Sequence, residues 1–111
     1  MTLRTEVSMD AGQPFEIRID AEGVAWLSGE LDMASADSLV DEVSMRLGGH
    51  PAVLDMSELT FLDSSGVRAI VQLAAKSEQP VFIRQPPDNI RKVLAIAGID
   101  GSLGVRIDPP S

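Results

Sequence analysis

The stretch FLDSSGV, Phe61 to Val67, lies where an apolar run gives way to a helical pattern, with two hydroxyls between an acid and a glycine. Upstream, PAVLDMSEL carries a short buried strand from Ala52 to Met56. Downstream, Val67, Ile70, Val71 and Ala74 fall at helical spacing and make one inward stripe. A strand handed to a helix through a short polar turn is the repeating unit of an α/β sheet. Serines at such a turn have three roles open to them: helix cap, nucleophile, or acceptor of a phosphate.

The same alternation extends outward in both directions. FEIRID alternates Phe15, Ile17 and Ile19 against Glu16, Arg18 and Asp20, as a half-buried strand does. AEG is a short turn, and VAWLSGEL returns as a second strand, so the two form a hairpin with Trp26 packed on the sheet. Ala36, Leu39, Val40, Val43 and Leu47 mark a first helix, with Ser35 as its N-cap, Asp37 near its positive end, Arg46 in its last turn and Gly48-Gly49 as its stop. After the second helix, QPVFIRQ is a strand closed by Pro86-Pro87. Ile90, Val93, Leu94 and Ala97 mark a third helix with Asp88 as cap and Gly98 as stop, and SLGVRI is a last, weaker strand. The order β-β-α-β-α-β-α-β predicts a small mixed β-sheet, with helices packed against it and an antiparallel pair at its start. Residues 1–13 show no sustained period and are expected to be a flexible or edge segment before a single domain over 14–108.

At 111 residues the chain is long enough for one self-sufficient core. It has no cysteine, and no apolar run approaches the ~18 residues of a membrane span or makes a signal peptide, so a soluble cytoplasmic protein without membrane insertion is expected. Nine Lys and Arg stand against seventeen Asp and Glu, a formal charge of −8, which argues against nucleic acid as a partner.

Enzyme chemistry finds little support. The one histidine, His50, lies in the loop GGHP, and scattered acids without cysteine do not assemble a metal site. A serine nucleophile needs a base within reach, and the motif is not G-x-S-x-G. Neither a GxxxxGK[ST] nor a GxGxxG loop occurs, so no nucleotide or other cofactor is expected. What remains is a helix mouth: Asp63 or Ser64 can cap it, Gly66 removes a side chain beside the serines, and Arg68 lies four residues after Ser64.

LSGELD at Leu27–Asp32, LDMSELTFLDSSGV at Leu54–Val67 and VLAIAGID at Val93–Asp100 resemble the three landmarks of STAS domains, and more narrowly of bacterial anti-sigma factor antagonists. The resemblance covers residues 15 to about 107, in the family's order. It departs in the turn after the second helix, which reads SEQP instead of carrying a glycine pair. It implies a STAS-type domain that is not an enzyme and that binds a serine-kinase-type anti-sigma factor, thereby releasing a sigma factor. The phosphoacceptor would be Ser64, supported by Asp63, Ser65, Gly66 and Arg68, with a serine phosphatase to restore it. The implied partner surface is Asp32, Met33, Ser64, Gly66 and Val67. The alternative is a non-phosphorylated structural STAS subunit of a lipid-transport or stress-signalling assembly, in which the serines only cap and pack.

Overall fold

The computed structural model describes residues 14–47, 50–101 and 103–108. The expected N-terminal segment 1–13 and the Gly48-Gly49 stop lie outside the described residues. The elements are β1 (Glu16–Ile19), β2 (Val24–Leu31), α1 (Ala36–Leu47), β3 (Ala52–Leu62), α2 (Ser64–Ser77), β4 (Val81–Arg84), α3 (Asp88–Ala97) and β5 (Val105–Ile107). This is the predicted order.

The five strands form one sheet in the order β1-β2-β3-β4-β5. β1 and β2 are the antiparallel hairpin, and every later pairing is parallel. In the hairpin turn the Asp20 carboxylate accepts the N–H groups of Glu22 and Val24, which closes the loop on itself. Each parallel connection crosses through a helix and adds its strand on the same side. Right-handed crossovers that always advance in one direction put every helix on the same face. The buried apolar residues accordingly form one cluster, in which Leu27, Leu54 and Ile83 of the strands meet Leu39, Ile70, Leu73, Ile90 and Leu94 of the helices. Each such fully buried side chain contributes about 1.5–3 kcal/mol relative to exposure.

Four local expectations need correction. The strand read as Ala52–Met56 runs eleven residues, to Leu62. Its second half hides from a period-two reading because Ser57 and Glu58 are both exposed, as are Thr60 and Phe61. The pairing with β2 shifts register between Trp26 and Ser28 and again between Gly29 and Glu30. Each extra residue resets the alternation, as a β-bulge does. At α3 the cap position is Pro87, without a side-chain capping bond, and Asp88 is the first helical residue. A proline ahead of the first turn has no N–H to leave unsatisfied, and Asp88 still places its charge at the positive end. Ala97, expected in the α3 stripe, is exposed, while Gly98 ends the helix in the left-handed conformation as expected.

The Ser35 hydroxyl, expected to cap α1, turns back into the preceding loop. It accepts the Asp32 N–H at 3.0 Å and donates to the Glu30 carbonyl at 2.9 Å. At the end of α2, Glu78 takes the left-handed conformation, φ 57°, where the sequence offers no glycine. Among the described residues no helix is long and apolar enough to cross a membrane.

Candidate functional site

β3 delivers the quoted motif to the end of the sheet, beside the end of β2. Leu62 pairs with Leu31, and the Asp63 N–H donates to the Leu31 carbonyl at 3.4 Å. Asp63 has extended backbone and is the N-cap of α2, with one carboxylate oxygen accepting Ser65 N–H at 2.9 Å and Gly66 N–H at 3.2 Å. The Val67 N–H goes to the Asp63 carbonyl. Two first-turn donors, the Ser65 and Gly66 N–H groups, are therefore already spent on the Asp63 carboxylate, while the Val67 N–H makes the first ordinary helical bond. A helix mouth normally offers such donors to an anion; this one holds a carboxylate of its own.

With the cap assigned to Asp63, Ser64 is released from that role. It is exposed, the first residue of α2, and its hydroxyl makes no hydrogen bond among the described residues. Ser65 is half-buried. Arg68, one turn along on the same face as Ser64, is exposed. Val67 is half-buried and packs against the core.

Gly66 shapes the entry to α2 through packing. It is buried, and a Cβ there would clash with the Leu62 Cδ1 methyl and lie 2.9 Å from both the Leu31 carbonyl oxygen and Leu31 Cγ. The missing side chain lets α2 settle onto the ends of β2 and β3, so it clears room for the protein's own backbone, not for a visitor.

Asp32 and Asp63 follow the paired residues Leu31 and Leu62, so the two acids end neighbouring strands. The Asp32 carboxylate is engaged locally, accepting Ala34 N–H at 3.0 Å and the Ser35 hydroxyl at 3.2 Å. Met33, next in this loop, is 79% exposed. Met33 therefore offers an apolar side chain at the same end of the sheet as the Ser64 hydroxyl. His50 precedes β3, whereas Ser64 follows it, so the eleven-residue strand separates them and no Ser–His pair forms.

The sequence reading missed a second polar cluster, on the sheet surface. Asp55 is 1% exposed, its Oδ1 accepting both the N–H and the hydroxyl of Ser57 while its Oδ2 takes Arg84 Nε at 2.7 Å. Burial works against its charge, but the Ser57 and Arg84 hydrogen bonds outweigh it and hold the carboxyl below its ordinary value. The Arg84 guanidinium also lies 5.1 Å from the Trp26 ring centroid, with Arg18 at 5.2 Å. The Trp26 N–H donates to Asp20 at 2.8 Å, and that bond is the largest of those keeping the Asp20 carboxyl low. The only sequence signal for Asp55 was its place in a second Leu-Asp-x-Ser, ahead of the first.

A single five-stranded mixed sheet with three helices on one face, and an exposed serine in the first turn of α2 at its rim, defines a small α/β domain. The family model described as "Mlab, STAS domain" matches residues 16–106, and the chain belongs to the STAS domain family. Among solved structures it is similar to the anti-sigma factor antagonist SpoIIAA in its unphosphorylated form, with TM-score 0.61 and 18% identity over 86% of this chain and 89% of that one. It is also similar, with TM-score 0.45 and 14% identity over 89% of this chain and 87% of the other, to an uncharacterised protein with a SpoIIAA-like fold from Shewanella loihica PV-4. No curated protein matches the chain by sequence. At such identities the likeness to solved structures is one of fold.

Proposed function

We propose that this STAS domain is an anti-sigma factor antagonist, a protein-binding switch, with no enzymatic activity of its own, whose partner is a serine-kinase-type anti-sigma factor. Phosphorylation of Ser64 turns binding off, and a serine phosphatase turns it on again. The observation that carries this reading is the division of labour at α2: Asp63 does the capping, which leaves Ser64 exposed and unbonded in the first turn. A serine kept only to cap would have its hydroxyl engaged. The fold shared with SpoIIAA lends support.

The mechanism is local electrostatics. A phosphate on Ser64 adds about −1.5 to −2 charges. The Ser65 and Gly66 N–H groups, which could have neutralised it, are already bonded to the Asp63 carboxylate. The partner would have to bury that phosphate beside Asp63 and Asp32, and an uncompensated buried charge costs several kcal/mol. Each ~1.4 kcal/mol is tenfold in affinity. Arg68, one turn along α2 from Ser64, could offset part of this, from a solvent-exposed position where pairing is worth little. In this account Met33 supplies apolar contact, and Val67 and Gly66 hold the helix mouth in place.

The test is the affinity of the cognate anti-sigma factor for three forms. Ser64→Ala keeps the parent affinity and resists phosphorylation, and Ser64→Asp binds at least about tenfold more weakly. Parent-like binding by Ser64→Asp sinks the mechanism. A second reading is compatible with the family match, which shows a STAS domain without reference to phosphorylation: a structural subunit of a lipid-transport or stress-signalling assembly, indifferent to charge at Ser64. Co-purification of the Ser64→Asp form with an intact assembly would select it.

A further inference from the structure

All three helices pack on one face of the sheet, and among the described residues no element covers the other. That bare face is not uniformly polar. Trp26 is half-buried there, Phe82 is 41% exposed and Phe61 43%. Apolar surface of this kind, rimmed by charges, marks an interaction site.

The charges are sorted along the strands. One crosswise row of the register runs Arg18, Trp26, Asp55, Arg84 from β1 to β4. Arg84 answers the buried Asp55 charge in it, so the net positive charge of the row is the one that Arg18 carries. The next row toward the Ser64 end runs Glu16, Ser28, Glu58, and presents two carboxylates. A basic row therefore lies beside an acidic one on the same face.

We propose that a second copy of this chain docks on this face, sheet against sheet, about a two-fold axis running across the strands between the two rows. This inference goes beyond the Ser64 reading and does not depend on it. An axis in that position lays the basic row of each copy over the acidic row of the other, so that Arg18 faces Glu16 of the second copy and Glu16 faces its Arg18. Such a patch is self-complementary, as a two-fold interface requires. An axis along the strands would instead lay like rows over like. Sheets pack about 10 Å apart, within reach of paired Arg and Glu side chains. Five strands about 4.8 Å apart make a face of roughly 500 Å² per copy, at the small end for specific interfaces, so the dimer is weak and reversible. Its two Ser64 sites lie at opposite ends and stay open.

The test is sedimentation velocity of the full chain from about 1 to about 300 µM, the range of a weak interface. The expected result is a monomer–dimer equilibrium. Arg18→Glu and Glu16→Arg each weaken it about tenfold or more, and the double swap recovers the parent constant. Net charge alone cannot imitate this pattern, because the two single changes move it in opposite directions. Both positions are exposed, and circular dichroism checks that each variant folds. A monomer throughout, a dimer indifferent to both reversals, or a double swap that fails to recover overturns the proposal. So does a protein that stays monomeric at full length and dimerises only after removal of residues 1–13, which would show that segment to be the occupant.

Discussion

Leu54-Asp55-Met56-Ser57 and Leu62-Asp63-Ser64-Ser65 are two copies of one pattern, Leu-Asp-x-Ser, within and just past the same strand. Both leucines are buried. In both, the aspartate Oδ1 accepts the N–H of the residue two further on at 2.9 Å. There the likeness ends. The first copy has a strand on either side, and Arg84 from β4 reaches across to the carboxylate while the Ser57 hydroxyl closes on it at 2.6 Å. The second copy stands where β3 runs out, and the next residues turn into a helix. Its aspartate takes helix N–H groups in place of a guanidinium, and the serine at the intervening position faces water. The same four-residue grammar gives a closed structural site where neighbours surround it and an open one where they stop. That contrast is the strongest physical reason to look for regulation at Ser64 and not at Ser57.

Breaking the closed site should have the largest effect. Arg84→Ala leaves the Asp55 carboxylate buried without its cation, and we expect a loss of about 2 kcal/mol, discounted because about a third of the Arg84 side chain is in water. The acid limb of stability gives the sign. The Asp55 carboxyl is held below its ordinary 3.8, so its contribution is present above that value and is lost as pH falls through the lowered one. Urea unfolding of parent and variant between about pH 6 and 2.5 should show the gap narrowing on the acid side. A gap independent of pH would break the comparison.

The open site should respond more mildly. Asp63→Ala removes a helix cap and is expected to cost about 1 kcal/mol, read from the same unfolding curves. Asp63→Asn, which keeps an acceptor oxygen, should recover most of it. The serines sharpen the contrast further. Ser57→Ala removes a bond to a charged group and should cost about 1 kcal/mol, whereas Ser64→Ala should stay within about 0.5 kcal/mol of the parent. Equal costs at the two serines would mean that Ser64 is a structural residue after all.

The sequence displayed the order of elements because each helix keeps its apolar stripe and each connection its turn residues. Asp63, Ser64 and Gly66 could be located from the motif alone. The role of Gly66 could not, since its reason is the approach of the Leu31 carbonyl, set by how β2 ends beside β3. The second half of β3 was hidden by two register shifts that break the alternation. The Asp55–Arg84 pair was hidden for another reason: the partners are far apart in sequence, and only the parallel register of β3 with β4 brings them opposite each other. Long-range register is where this chain's local patterns stop being informative.

The central proposal is that Ser64, exposed and without a hydrogen bond in the first turn of α2, is the hydroxyl that is phosphorylated. Intact-mass spectrometry of the protein from its own host, with site mapping across Phe61–Arg68 and across Asp55–Glu58, tests it directly. The account predicts a single phosphate, on Ser64, and none on Ser57 or Ser65. A phosphate on either of those serines, or a chain that stays unmodified in every growth condition, would contradict it.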